Sequence, residues 1–477
     1  FFDDGVGTER MKLLRIVSGA CGSGLSRNVR QLYARLVVNF EPGDNIYLFG
    51  FSRGAFTVRT LAGFITACGI IDKRHCPDDE ALHALVKIAY RAYRRRYAAR
   101  ISSGWYRLEK QLGVERPSVE EFRRQYGIRV RREQYTSHRH VTGDFSDARI
   151  VPIRFMGVWD TVDAVGFPVK EVADFWNEKI YRFKFPDHAL SPWLHQACHA
   201  LAIDDERRAF HPLLFNESDP RDAARIEQVW FPGVHSNVGG GYPKQGMAHV
   251  ALNWMMDRAE EQGLRFNAYF REAYRAAANS HDKLYDSRSG ISIYYSYAQR
   301  NIRSICSLEG VSPVRVHVST FHRILARTED YAPGNLAPFE AAVDDPGHLG
   351  ETPADQNRLA RICREGWERD KAGIYDQSRL AGIRRRLHLG YVLFSAFLVL
   401  AVYLSGLLAP VEAPANPLLR ILRLVSALFP PLGDTLYETI LQPLFSRFVP
   451  GLLILLLPVG LYAADSVLGG MMPVSYT

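Results

Sequence analysis

Cysteine is scarce: the chain has six in 477 residues, at Cys21, Cys68, Cys76, Cys198, Cys306 and Cys363. No two form a C-x-x-C pair, so zinc-ribbon ligation is excluded. So thin a scatter suits a reducing compartment better than a disulfide framework. The composition also lacks any bias toward disorder or collagen-like repetition, since 47% of residues are hydrophobic and 12% aromatic, ample for a sizeable core. No signal peptide is visible in the opening FFDDGVGT, which starts at Phe1 rather than methionine and reads as a chain continuing upstream. Arginine clusters occur at Arg94–Arg96 and Arg129–Arg132. No aromatic-interleaved recognition motif accompanies them, which counts against a nucleic-acid partner.

What is present is a mild basic excess, +8 with a pI near 9.1. Such a balance favours anionic surfaces, lipid or nucleic acid, without choosing between them. The length accommodates one large domain with an appendage. Asp44–Gly50 reads as a short buried strand after Pro42-Gly43, running into a helix over Arg53–Gly69. Asn28–Asn39 has helical periodicity, and Arg154–Val158 and Ile226–Phe231 read as two further buried strands. This alternation predicts an α/β fold with a mostly parallel sheet. Residues 78–141 are arginine-rich and read as a helical insertion or lid over the sheet; Val250–Glu261 reads as a helix within an otherwise mixed stretch. The expected division is a catalytic domain over 1–380 and a membrane-anchor region over 381–477.

That last boundary rests on an abrupt change of composition. Leu389–Ala409 is an uncharged run of 21 residues preceded by Arg384, Arg385 and Arg386, long enough to cross a hydrocarbon core of about 30 Å. A second run, Phe448–Ala464, has 17 residues and contains Pro450 and Pro458. Between them Leu418–Phe429 mixes Arg420 and Arg423 with leucines, as an interfacial helix does. One or two transmembrane helices are expected, with the arginine cluster placing the catalytic portion on the cytoplasmic face. The plainer reading of the first run is a buried core helix.

Gly50-Phe51-Ser52-Arg53-Gly54 is a G-x-S-x-G pentapeptide lying between the expected strand and the expected helix. In that context the serine sits on a strained turn, and Gly50 and Gly54 are expected to avoid clashes on both sides of it. The Arg53 backbone N–H, at the start of the helix, is the candidate donor to a developing oxyanion. By itself the pentapeptide recurs by chance, and the alternative is an ordinary Gly-Ser turn.

A serine nucleophile needs a base, and the base an orienting carboxylate, in the chain order serine, acid, histidine. Asp160 ends the strand RFMGVW, and His235 lies in the glycine-rich loop GVHSNVGGGY after IEQVWF. Both stand where active-site loops of parallel sheets form, at the carboxyl ends of strands. Asp163 is the near rival to Asp160, and Asp204 and Asp205 are further ones. The charges of HALAIDDERRAFHP read as an ion-pair network behind the site. The glycines at 233 and 239–241 are expected to let the loop bend around the imidazole.

Taken together, GFSRGAFTVRTLAG, FMGVWDTVDAVG, HALAIDDERRAFHP and QVWFPGVHSNVGGGYP resemble the type VI secretion phospholipase effector family, in the same order over roughly residues 1–260. The resemblance implies an α/β-hydrolase fold and serine esterase or phospholipase activity on glycerophospholipids, with Ser52 as nucleophile, Asp160 as acid and His235 as base. It implies no metal or organic cofactor. The implied partners are a phospholipid membrane, a lipid substrate, and a secretion apparatus or immunity protein; the implied setting is bacterial, with delivery to a target cell. The earlier strand that ends in an Asp-Gly-Thr loop in such proteins is absent from the chain as it starts, so Gly5 and Gly7 are the candidates for a second oxyanion donor. The rival reading is a catalytically silent hydrolase fold serving as a membrane-tethered binding or assembly module.

Overall fold

The computed structural model describes residues 23–98, 117–131, 147–163, 189–287, 298–331, 333–336 and 341–344, together with residue 390. Phe1–Ser289 with Ala298–Trp367 form one compact unit, and Gly290–Tyr297 with Glu368–Thr477 a second. Except for residue 390, everything described belongs to the first. Among the described residues no helix is long and apolar enough to cross a membrane. Apart from residue 390, the expected anchor segments lie outside the described residues, and so do Gly5 and Gly7.

The described strands are β1 (Tyr47–Phe51), β2 (Ile153–Trp159), β3 (Leu194–Ala202), β4 (Ile226–Phe231), β5 (Val314–His317) and β6 (Ala341–Asp344). They form one sheet in sequential order with every neighbouring pair parallel. The α/β class with a mostly parallel sheet is therefore the observed one. The registers Phe51↔Trp159, Trp159↔Ala200 and Ala202↔Phe231 bring four carboxyl ends to one edge of the sheet.

Helices cover both faces, as a parallel sheet requires. On one face α1 (Ser23–Asn39), α2 (Arg53–Cys68), α3 (Asp79–Ala98) and α4 (Val119–Tyr126) share a core with Met156, Val158 and Ala197. On the other, α5 (His235–Gly239) and α6 (Gly246–Glu261) pack on Phe155, Cys198, Ala200, Val229 and Phe231. The alternation Phe155, Met156 and Ala197, Cys198 between these cores is the two-residue period of a strand. Beyond them lie α7 (Ala268–Ala277), α8 (Ile302–Leu308) and α9 (Val318–Leu325).

Several elements differ from the sequence reading. β1 is shorter than Asp44–Gly50 and only half-buried, with Phe49 38% exposed, because it stands at the end of the described strand order and pairs only with β2. The described helices of the arginine-rich stretch are no lid: Leu82, Val86, Tyr90, Tyr93 and Phe122 belong to the main core. Of their arginines, Arg91 and Arg124 are exposed, whereas Arg123 is half-buried and reaches the Ala67 carbonyl and Asp147. α4 starts at a capping box that the sequence spells as Ser118-Val119-Glu120-Glu121, with reciprocal bonds of 3.1 and 2.7 Å. The four described cysteines, Cys68, Cys76, Cys198 and Cys306, are free thiols.

α2 is buried almost all round. Phe64 meets Tyr33, Tyr90 and Tyr93 at centroid distances of 4.1, 5.4 and 5.4 Å, and the Tyr33 hydroxyl donates to the Gly69 carbonyl at 2.8 Å. This cluster joins α1, α2 and α3. Phe64→Ala is expected to remove about 3–5 kcal/mol of unfolding free energy, whereas Tyr269→Ala, on a side chain 77% exposed, should cost within about 0.5 kcal/mol. Denaturant unfolding of the full chain checks this, and equal midpoints for the two variants would refute the packing role given to Phe64.

Candidate active site

The turn from β1 to α2 carries Ser52, which adopts φ 58°, a conformation costing a non-glycine residue about 1–3 kcal/mol. Its N–H donates to the Trp159 carbonyl at 2.9 Å, so the strained residue is clipped to the end of β2. Arg53 opens α2, which puts its backbone N–H in the first turn of that helix. The two flanking glycines are not equivalent, contrary to the expectation for them. A Cβ on Gly50 would lie 2.5 Å from the Gly54 carbonyl oxygen and 2.8 Å from the Ala55 Cα, all backbone of the first turn of α2; a Cβ on Gly54 would meet nothing within 4 Å.

At the end of β2, Asp160 also has positive φ, 37°, and its N–H donates to the Ala200 carbonyl at 2.8 Å. The backward turn points the carboxylate across the strand ends, where it has no solvent exposure. Its Oδ1 accepts from the Ala202 N–H at 3.0 Å and from Arg300 Nη1 at 2.8 Å; its Oδ2 accepts from Arg300 Nη2 at 2.8 Å. Burial acts to raise this carboxyl, but Arg300 and then His235 outweigh it and hold it well below the usual carboxylate range.

His235 stands at the first position of α5 rather than in an open loop. Its backbone N–H donates to Asp205 Oδ2 at 3.1 Å. The ring nitrogens reach both other residues: Nδ1 lies 2.6 Å from Asp160 Oδ2, and Nε2 lies 2.7 Å from Ser52 Oγ. An ionised carboxylate can only accept, so Nδ1 carries the hydrogen and Nε2 accepts the Ser52 hydroxyl. Burial pushes the imidazole pKa down against the upward pull of Asp160, so the ring is a free base at neutral pH. Phe51 and Phe210 flank it at 4.5 and 4.9 Å. A Cβ on Gly239 would lie 2.0 Å from the Phe51 ring; that glycine makes room for an aromatic neighbour, a different task from bending the loop.

Among the rival acids, Asp205 serves the backbone of His235 rather than its ring, and is paired with Arg207 (Nη2–Oδ2 2.6 Å). Asp204 accepts from the Gly233 N–H at 2.6 Å and the Tyr331 hydroxyl at 3.0 Å, and burial pushes its pKa up to about 6. The ring bond goes to Asp160 and not to Asp163. The charged stretch after β3 thus braces the histidine segment through two carboxylate-to-backbone hydrogen bonds and the Asp205–Arg207 ion pair, where an ion-pair network had been expected.

Sequence reasoning missed Arg300, and also the polar support under Asp160. His199 on β3 accepts the Thr161 N–H through Nε2 at 3.1 Å and meets Gln228 Oε1 through Nδ1 at 3.2 Å. Burial lowers its pKa to about 3, so it stays neutral. Among the described residues there is no group of three or more His, Cys, Asp or Glu placed to share a metal ion. What the geometry can do is polarise a hydroxyl through a neutral imidazole backed by a carboxylate, the requirement for attack on a carbonyl.

The chain is similar to one known family and to two known proteins. The sequence profile of the family described as "T6SS, Phospholipase effector Tle1-like, catalytic domain" matches residues 1–258. An uncharacterized protein of Saccharomyces cerevisiae is 28% identical over 193 residues, which are 40% of this chain and 21% of that protein; the chain thus spans well under half of the length of that relative. A crystal structure of an uncharacterized protein from Pseudomonas aeruginosa aligns with 90% of this chain and 47% of its own, at 17% identity and a TM-score of 0.28.

The asymmetry of the two glycines is directly testable. Gly50→Ala is expected to slow reaction of the Ser52 hydroxyl with a fluorophosphonate at least tenfold, because only backbone can give way; Gly54→Ala should stay within about twofold. Equal losses in the two variants, measured as labelling rates on folded protein, would contradict the contacts at this turn.

Proposed function

This chain belongs to the Tle1-like catalytic-domain family of type VI secretion phospholipase effectors, and from that premise we propose that it is a serine hydrolase of α/β-hydrolase fold that cleaves acyl ester bonds of glycerophospholipids. The observation that carries the proposal is the unbroken chain from Ser52 Oγ through His235 to Asp160, with links of 2.7 and 2.6 Å, mounted on a strained strand-to-helix turn.

In the proposed reaction Ser52 Oγ attacks the acyl carbonyl carbon while its proton passes to His235 Nε2. Asp160 holds Nδ1–H and faces the imidazolium that forms. The carbonyl oxygen becomes an oxyanion facing the Arg53 N–H at the start of α2, where the helix dipole adds its positive end. Collapse expels the glycerol oxygen, which takes the proton from Nε2, and leaves the acyl group on Ser52. Water, deprotonated by the same nitrogen, then attacks the acyl carbon; the acyl–Oγ bond breaks, Ser52 Oγ takes the proton back from Nε2, and the fatty acid leaves. The second oxyanion donor is assigned to the segment of Gly5 and Gly7.

We extend the reading to the whole chain: a catalytic domain over 1–380 followed by a membrane-anchor region over 381–477, with the catalytic domain on the cytoplasmic face. The lipid bilayer is then both partner and substrate, and an effector of this kind pairs with a secretion apparatus and an immunity protein. The 21 uncharged residues of Leu389–Ala409, with Arg384–Arg386 before them, support the anchor.

Fluorophosphonate labelling of detergent-solubilised full-length protein tests the chemistry. Labelling is expected to vanish in Ser52→Ala and to slow by about a hundredfold or more in His235→Ala, and phospholipid in vesicles should be hydrolysed faster than a short water-soluble ester. An inert, folded wild type would instead support the silent binding module. For the anchor, alkaline carbonate washing should leave the full chain in the membrane pellet; release into the supernatant would remove that part of the proposal.

A further inference from the structure

Ser52, His235 and Asp160 do not account for the fully buried cation beside them. Arg300 lies just before α8, 140 positions from Asp160 in the chain, and has no solvent exposure. Its guanidinium straddles the carboxylate, Nη1 on Oδ1 and Nη2 on Oδ2, both at 2.8 Å. The same two nitrogens also donate to the carbonyls of Ala202, at the end of β3, and Phe210. One planar group therefore ties the ends of β2 and β3 to the segment whose Phe210 ring packs on the imidazole.

Two consequences follow from this geometry. With Oδ1 also taking the Ala202 N–H and Oδ2 the His235 ring, any rotation of the carboxylate breaks charge-assisted bonds at both oxygens. The imidazole also faces an ion pair rather than a lone anion, so the pull that would keep it protonated is weakened. A partner chosen only to satisfy a buried carboxylate need not be charged: replacing a whole buried ion pair by apolar groups is often neutral or stabilising, although removing one partner alone is destabilising.

Resting on the reading of Ser52 as nucleophile, we propose that Arg300 is a positioning residue of the reaction: its two-point grip on Asp160 fixes the carboxylate plane and offsets its charge, and so sets the orientation and basicity of His235. It touches neither substrate nor reacting atoms and acts through Asp160. Among the described residues, the other charged or titratable groups near this pair are Asp205 and Arg207 in the segment after β3, His199 on β3 with Arg59 from α2 beyond it, and Arg208 and His211, which follow Arg207. All of these remain in the variants below.

The test uses the full-length protein in detergent micelles, with fluorophosphonate labelling rates against pH, and kcat and KM on phospholipid, for wild type, Arg300→Gln and Arg300→Lys, each checked by thermal unfolding. The acid limb of the labelling profile reports proton uptake by the coupled His235–Asp160 pair. Removing the cation makes that uptake easier, so the limb in Arg300→Gln should move to higher pH by about one unit. Arg300→Lys keeps the charge but not the fork; its limb should stay in place while kcat falls about tenfold at unchanged KM. A folded Arg300→Gln with the wild-type limb overturns the proposal. If Arg300→Gln does not fold, Arg300→Lys decides alone, and wild-type kcat in it overturns the proposal. An inert wild type would instead overturn the functional reading, which separates the two failures.

Discussion

A carboxylate without access to water must be matched donor for donor, and the architecture around Asp160 follows from that requirement. Removing such a group from water unpaired costs several kcal/mol. Here its two oxygens receive the Ala202 N–H, both terminal nitrogens of Arg300 and the His235 ring. These donors come from the end of β3, from the segment before α8 and from α5. This arrangement exists only when distant parts of the sheet layer close together, so the contact between Ser52 and His235 is coupled to completion of the fold.

Parallel pairing makes that closure possible. Because Phe51 pairs with Trp159, and Trp159 with Ala200, β1 and β2 end side by side. Each then turns through a left-handed residue, Ser52 and Asp160. The cost of those turns, about 1–3 kcal/mol each, is offset by what surrounds them: the nearly all-buried α2 on one side and the Phe231–Trp254 layer on the other. Strain next to a rigid core is what keeps the serine hydroxyl and the imidazole within 2.7 Å.

Charge is handled in pairs. Asp160 with Arg300 and Asp205 with Arg207 place two anions and two cations around one neutral imidazole. His199, buried and held neutral, adds a hydrogen-bond acceptor without adding charge. The imidazole thus sits among paired charges, in a nearly neutral enclosure.

The features legible in the sequence were those with a local physical signature. The apolar runs of β2 and β4 end at polar residues, so Asp160 and His235 were placed at strand ends; the pentapeptide between a strand and a helix singled out Ser52. The capping box before α4 has a local signature too, but the sequence reading passed over it. β3 was missed because Leu194–Ala202 contains two histidines and a glutamine among small residues, and only burial with Thr161 and Gln228 lets His199 belong in a core. The different demands on Gly50 and Gly54 were hidden, since they depend on which backbone lies across the turn. The family resemblance, carried by four motifs in order, was also in the sequence alone. Arg300 had no signal at all. It is one arginine among many, and what distinguishes it is a carboxylate 140 residues away, brought within hydrogen-bonding distance only when the sheet and its helices have assembled. Residue type and local periodicity name the groups able to do chemistry, whereas which of them meet, and in what charge state, depends on long-range packing that excludes water.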